Sequence, residues 1–282
     1  MSFLEDKYKE IGTSPPEIHF VLGSGFSAAV DKAKDSSIWE ERLTLPFKEV
    51  PGLKIPTVES HSGLYRYFSH KPTGRVICFQ CGRLHGYEGH SPKEVVQTVI
   101  LPLQAGTKRF VLTNLAGGLK ESLTVGSVVA LTDHVNFTGQ NPLVGPNPSD
   151  ERGQPLGPRF PDMSDLYEEA MRRQVVRELL AEGLRVEEGI YIGVLGPNFE
   201  TAAEVQLFAR WGLSAVGMST VWEALALRHA GVQLSAFSLI SNPACGIEAG
   251  EKLDHESILE AVSFYSEKII RSFFNYCDRQ FF

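Results

Sequence analysis

Short apolar runs, most of them closed by a glycine or a polar residue, recur along the chain with polar or amphipathic stretches between them. The runs Ile18–Gly23, Leu64–Ser69, Arg75–Gln80, Phe110–Asn114, Ser127–Leu131, Gly189–Leu195, Ser214–Met218 and Val232–Ser241 predict strands. Continuous apolar runs of this length suit strands buried on both faces. Helical spacing predicts helices over Asp165–Glu182, Thr201–Trp211 and His255–Tyr276, a helix start at Ser27–Asp31, and another helix after Ser219–Glu223. Ser91-Pro-Lys-Glu opens a further helix, with Ser91 as N-cap, Pro92 as its first residue and Glu94 as the capping-box acid; Pro102 should kink its last turn. Leu43-Thr-Leu-Pro46 is broken by proline and predicts no clean strand. Phe110–Asn114 is expected to end in a glycine turn, Leu115–Leu119, and Asp133 to about Ser164 in a long polar loop without a helix. Alternating strands and helices from Ile18 to Ser241, with no internal repeat or linker, predict one α/β domain over residues 1–282 with a mixed central sheet flanked by helices. Residues 1–16 form an N-terminal extension or helix, and the strand order stays open.

Composition narrows the function. A net charge of −7 offers no general attraction to nucleic acid or an anionic membrane, so any phosphate must be held by a local cluster. Charged residues crowd the first ten positions, where a signal peptide would be apolar, and no apolar run reaches the roughly 20 residues of a membrane helix. The expectation is a cytoplasmic protein with neither nucleic acid nor membrane as partner. Cys78 and Cys81 have C-x-x-C spacing, but no second pair follows, so they are read as structural thiols and no metal site is expected.

Candidate chemistry gathers where strands end, which is where open α/β sheets bind ligands. The stretch GRLHGYEGH, Gly82 to His90, delivers Arg83, His85, Tyr87 and Glu88 together. Arginine is a permanent planar cation suited to phosphate, histidine can donate to a second oxygen, and a neighbouring Glu can orient that histidine. Gly23-Ser-Gly-Phe offers backbone N–H groups and the Ser24 hydroxyl to an anion; the amides near Leu115 and Ala116 do the same at the next glycine-rich exit. Gly23, Gly25 and Ala28 also match a weak dinucleotide fingerprint, but no strand ending in an acidic residue follows at the required distance. Phe199 and Glu200 place a ring that can stack beside an acid that can accept from ring N–H groups, as recognition of a nucleobase requires. Ser219 sets a hydroxyl at a helix start, Asn242 stands at a strand end, and His61 precedes a strand. Plainer readings exist for each: a Gly-rich surface turn for Arg83 and His85, a helix-terminal acid for Glu200, a structural histidine for His61.

Taken in register, GSG (Gly23 to Gly25), GRLHGYEGH, TNLAGGL (Thr113 to Leu119), GQNPLVGPN (Gly139 to Asn147), RFPDMSD (Arg159 to Asp165), GPNFET (Gly196 to Thr201), GMSTVWE (Gly217 to Glu223) and SLISN (Ser238 to Asn242) resemble the trimeric, 6-oxopurine-specific purine nucleoside phosphorylases of the nucleoside phosphorylase superfamily. The resemblance implies that Ser24, Arg83, His85, Ser219 and the amide of Leu115 or Ala116 hold phosphate, with His61 nearby. It implies that Glu200 and Asn242 read the purine, that Phe199 stacks on it, that Met218 and Tyr87 pack against the ribose, and that His255 reaches the 5′-hydroxyl. His85, Asn242 and Glu200 would be the catalytic residues, and Phe160 would enter the neighbouring subunit's site in a homotrimer. The implied reaction, in purine salvage, is reversible phosphorolysis of purine ribo- or deoxyribonucleosides, inosine and guanosine before adenosine, with inorganic phosphate as co-substrate and no cofactor. Leu115 departs from the small residue of mammalian members, and Asn242-Pro-Ala-Cys-Gly resembles bacterial ones. The alternatives are a methylthioadenosine phosphorylase, expected to carry an acid where Asn242 stands, and a phosphate-independent nucleoside hydrolase. A non-catalytic sensor and a dinucleotide-dependent oxidoreductase are further from the residues.

Overall fold

A computed structural model describes residues 2–58, 61–244 and 255–281, without the side chains of 255–261. The strands are β1 (Ile18–Leu22), β2 (Trp39–Pro46), β3 (Leu64–His70), β4 (Val76–Cys81), β5 (Arg109–Gly118), β6 (Val128–Asn136), β7 (Val186–Gly193), β8 (Ala215–Gly217) and β9 (Gln233–Pro243). The helices are α1 (Phe3–Glu10), α2 (Ala29–Ala33), α3 (Pro92–Gln104), α4 (Glu169–Ala181), α5 (Ala202–Arg210), α6 (Val221–His229) and α7 (His255–Phe281). Among the described residues, nine strands join one mixed sheet in the order β2-β3-β4-β1-β5-β8-β7-β6-β9, and β9 pairs back onto β5, so β5, β8, β7, β6 and β9 close a ring. The α/β class with a mixed sheet is as the alternating pattern predicts.

The parallel core explains the apolar runs. β1 lies between β4 and β5, parallel to both, and its side chains alternate between two cores. Ile18, Phe20 and Leu22 pack with α2, α4 and α7 on one face, and Val21 with α3 and α6 on the other. α1 starts from a Ser2–Glu5 capping box and buries Leu4 and Tyr8 against β2 and β3. Cys78 and Cys81, three apart on a strand, point to opposite faces and fall in different cores, which rules out a shared site for that pair. Among the described residues, no group of three or more His, Cys, Asp or Glu is placed to hold a metal, and no helix is long and apolar enough to cross a membrane.

Several elements depart from the sequence reading. Residues 39–46 do form a strand despite Pro46, because β2 pairs only with β3 at the sheet's edge and proline is its last residue. The expected turn at Leu115–Leu119 is instead the end of β5, which runs straight through Gly117 and Gly118. Those glycines pair with β8 on one side and β9 on the other, and a Cβ on Gly118 would lie 3.0 Å from the Leu123 carbonyl oxygen. Crowding from both neighbours thus recruits into the strand residues whose local preference is for a turn. β6 likewise continues to Asn136, so the helix-free loop begins at residue 137 rather than 133. α2 begins at Ala29, later than Ser27, and α3 runs through Pro102 to Gln104 from the Ser91–Glu94 capping box.

Candidate active site

Six strand exits meet over a cavity of about 360 Å³. β1 contributes Gly23 and Ser24, β4 contributes Arg83, His85 and Tyr87, and β5 contributes Asn114 to Gly117. The segment after β7 brings Pro197, Phe199 and Glu200, β8 leads to Met218 and Ser219, and β9 brings Ser241 and Asn242; Val58 and His61 complete the lining. Ser24, His61, Arg83, His85, Leu115, Ala116, Ser219, Tyr87, Phe199, Glu200, Met218 and Asn242, scattered over more than 200 residues of sequence, are therefore neighbours. Phe160 is not among them: it is 88% exposed in the long loop, away from its own chain's cavity. The side chain of His255 lies outside the described residues.

One end of the cavity gathers a buried cation, two imidazoles and two hydroxyls. Arg83, 1% exposed, donates Nε–H to Glu223 Oε1 at 3.2 Å, and from Nη1 to the Thr113 carbonyl and to Ser219 Oγ at 3.4 Å. Its Nη2 is buried with no hydrogen-bond partner in the protein. A buried guanidinium nitrogen without an acceptor is costly, and an anion in the cavity supplies one. Ser24 Oγ and His61 Nε2 lie 3.2 Å apart, and the rings of His61 and His85 face each other at 5.0 Å between centroids. His85 Nδ1 lies 3.0 Å from Glu88 Oε1, and its ring stacks on Tyr87. Burial would raise the Glu88 carboxyl, but hydrogen bonds from His85 and from Thr57 outweigh it and hold it at about 2. Burial also pushes His85 below the usual imidazole range, against the pull of Glu88. At neutral pH His85 is accordingly uncharged, with Nδ1–H donated to an ionised Glu88 and Nε2 carrying a lone pair.

The turn that holds this pair, Gly86–Glu88, is pressed against α6. A Cβ on Gly86 would sit 2.6 Å from Trp222 Cη2, and the Trp222 indole is itself fixed by donating to Thr138 Oγ1 at 3.0 Å.

The other end is suited to a heterocycle. Phe199, 40% exposed, stands beside Glu200, whose carboxyl is pushed above the usual range chiefly by burial. α5 is capped by Thr201 through a capping box with Glu204, so capping the helix does not account for Glu200. Asn242 donates from Nδ2 to the Pro243 carbonyl at 2.7 Å and accepts at Oδ1 from Ser241 at 2.7 Å, leaving one N–H and one lone pair of its amide for a ligand.

Sequence reasoning missed Glu223, Asn114 and Thr220. Glu223 reads as a first-turn acid of α6, and nothing local links it to Arg83, 140 residues away. Thr220 carries no sequence signal at all, yet it is the one described non-glycine residue with positive φ, at 73°.

The family model described as the phosphorylase superfamily matches residues 20–274. Purine nucleoside phosphorylase 1 of Geobacillus stearothermophilus is 36% identical over 270 residues, 95% of this chain and 92% of that protein. The purine nucleoside phosphorylase of Mus musculus is 38% identical over 252 residues, 87% of this chain and 83% of that one. Among solved structures, Schistosoma mansoni purine nucleoside phosphorylase in complex with adenosine superposes with a TM-score of 0.83 at 31% identity, covering 98% of this chain and 95% of that one. A Schistosoma purine nucleoside phosphorylase in complex with guanosine matches with a TM-score of 0.80 at 30% identity, over 98% and 94%.

Proposed function

Because the chain belongs to the phosphorylase superfamily and, within it, to the purine nucleoside phosphorylases, we propose that it cleaves 6-oxopurine nucleosides in preference to 6-aminopurine ones, with the cavity residues in the roles that follow. The single observation that carries this reading is the pairing, in one cavity, of a buried arginine with an unmatched Nη2 and a half-buried acid with no capping role.

Phosphorolysis of a purine nucleoside breaks the glycosidic bond as phosphate attacks C1′, giving free base and pentose 1-phosphate. Negative charge builds on the purine while the sugar becomes oxocarbenium-like, so groups at both ends of the cavity lower the barrier. Arg83 Nη2, Ser24, Ser219 and the amide of Leu115 or Ala116 hold phosphate on one side of the sugar, with His61 beside Ser24. Neutral His85 accepts the P–OH proton of a phosphate monoanion at Nε2 and, once charged, donates back to the dianion it has made; Glu88 stabilises that imidazolium. The dianion is both countercharge and nucleophile, and the protein contributes no nucleophile of its own. Met218 and Tyr87 pack against the ribose, with His255 reaching its 5′-hydroxyl, and Phe199 stacks on the base.

At the base, Asn242 donates its remaining N–H to N7 as electron density gathers there. Glu200, ionised, accepts the N1–H of hypoxanthine or guanine. Adenine presents a lone pair at N1, and a buried acceptor left unmatched costs roughly 1–3 kcal/mol. The experiment is base release from inosine and adenosine at saturating phosphate, for the wild type and for Asn242→Asp. Inosine is expected to be cleaved at least about tenfold faster by kcat/KM, from that penalty, and Asn242→Asp to shift the ratio toward adenosine. Equal rates on both substrates, or a ratio unmoved by the substitution, would overturn the assignment of Glu200 and Asn242.

The same reading makes the chain one functional unit over residues 1–282, with 1–16 as an N-terminal extension, acting in the cytoplasm with inorganic phosphate as its only co-substrate and without metal or cofactor. It also makes the active form a homotrimer. Support comes from Phe160, 88% exposed, and from the exposed ring pair Phe137 and Trp211, whose centroids lie 6.0 Å apart.

A further inference from the structure

At the start of α6 the backbone makes a three-residue turn that a threonine should resist. Val221 N–H donates to the Ser219 carbonyl at 2.8 Å, two residues back, and the central residue, Thr220, has φ 73° and ψ −48°. That is a γ-turn of the rare, strained kind, and a β-branched residue is among the least suited to it. Such strain persists only where surrounding contacts hold it. Among the holding contacts is a set of hydrogen bonds that meets at Ser219. Tyr191 Oη accepts from the Ser219 N–H and donates to the Ser219 carbonyl, both at 3.4 Å, which fixes the peptide. Asn114 Nδ2 donates to Thr220 Oγ1 at 2.8 Å, and Thr220 Oγ1 lies 3.2 Å from Ser219 Oγ.

An amide nitrogen can only donate, so Thr220 Oγ1 is an acceptor toward Asn114. Either hydroxyl of the Thr220–Ser219 pair can supply the hydrogen between them, and the relay is the arrangement in which Thr220 supplies it. Arg83 Nη1 also donates to Ser219 Oγ, at 3.4 Å. When Thr220 is the donor, both lone pairs of Ser219 Oγ are approached by donors, and its hydrogen is left to face the cavity that Ser219 lines. An acceptor-only ligand such as a phosphate dianion requires that orientation; the opposite one would turn a lone pair toward negative charge. We infer that Thr220 is a positioning residue, and that the chain Asn114 Nδ2–H to Thr220 Oγ–H to Ser219 Oγ–H is a relay that locks Ser219 as a hydrogen-bond donor to phosphate.

This rests on the reading of Ser219 as a phosphate ligand, and the test separates the two. Steady-state kinetics with inosine and inorganic phosphate are measured for the wild type, Thr220→Val, which keeps the branched shape and removes the hydroxyl, and Thr220→Ser, which keeps the hydroxyl. Thr220→Val is expected to raise the phosphate KM about tenfold while the inosine KM stays within about twofold, and Thr220→Ser to return the phosphate KM to within about threefold of wild type, the scale of one neutral hydrogen bond. Should Thr220→Val fail to fold, Asn114→Ala removes the relay from its other end and is expected to raise the phosphate KM about threefold. An unchanged phosphate KM in the folded variant, a rise shared equally by inosine, or a Thr220→Ser enzyme as defective as Thr220→Val would overturn the relay. Inosine cleavage by the wild type that ignores phosphate would instead overturn the phosphate reading of the cavity itself.

Discussion

His19 shows how a single buried side chain ties this fold to pH. It sits on β1 with no exposure, its Nε2 3.0 Å from Gln80 Oε1, and burial lowers its pKa from the ordinary 6.5 to about 4, with Gln80 pulling weakly the other way. His134, against the Tyr167 hydroxyl, is lowered to about 4 by the same cause. Between those values the unfolded chain binds protons that the folded chain refuses, so stability falls as pH drops from about 6.5 toward 4. Each histidine accounts for up to about 3 kcal/mol over that window. Urea midpoints between pH 7.5 and 4.5 should fall with pH, and His19→Gln should make that fall shallower; a midpoint that holds steady or rises on acidification would contradict the assignment of neutral buried histidines. Neither role was legible in the sequence. His19 is one polar letter inside an apolar run, and burial is set by the two strands that flank it. Arg83, His85 and Glu88 were legible, because a cation, an imidazole and an acid within six residues at a strand exit already have the chemistry of an anion site. Glu223 was not, because its pairing with Arg83 spans 140 residues and exists only through the fold.

At the scale of elements, periodicity found the parallel core and misjudged the ends. β1, β3, β4, α3 and α5 stand where apolar runs, helical spacing and the Ser91–Glu94 capping box put them. The misses share one cause, tertiary pairing that overrides a local preference. Gly117 and Gly118 belong to β5 because β8 and β9 close on it from two sides, and Asp133 to Asn136 belong to β6 because β7 supplies partners as far as Gly193. The extension of β5 matters to the site. The longer β5 carries Asn114 to Gly117 along the cavity floor instead of looping away. β9 delivers Asn242 from within a strand, opposite Gly117, where its backbone is held by the ladder and its amide is aimed by Ser241 and Pro243. The proposed contact of Asn242 with a purine nitrogen would gain from such a mount, since strands position side chains more tightly than loops do.

At the scale of the whole molecule, the proposed trimer gives the long loop a role. Phe160 lies 88% exposed, and the guanidinium of its neighbour Arg159 stands 5.5 Å from the centre of that ring. A large aromatic held at the tip of an irregular loop is unfavourable in water and suits insertion into a partner's open cavity. Sedimentation of the active enzyme should give a trimer mass, and Phe160→Ala should raise the inosine KM while leaving the phosphate KM near wild type. Full activity in a species of monomer mass would remove the shared-site role.

The central claim is that an anion end and a purine end, assembled from six strand exits, perform one displacement at C1′. The most direct measurement is the rate of hypoxanthine release from inosine with and without inorganic phosphate, together with the yield of ribose 1-phosphate. The account predicts release that requires phosphate and forms one ribose 1-phosphate per base. Release at the same rate without phosphate, yielding free ribose, would make the Arg83 cluster structural and the chemistry hydrolysis.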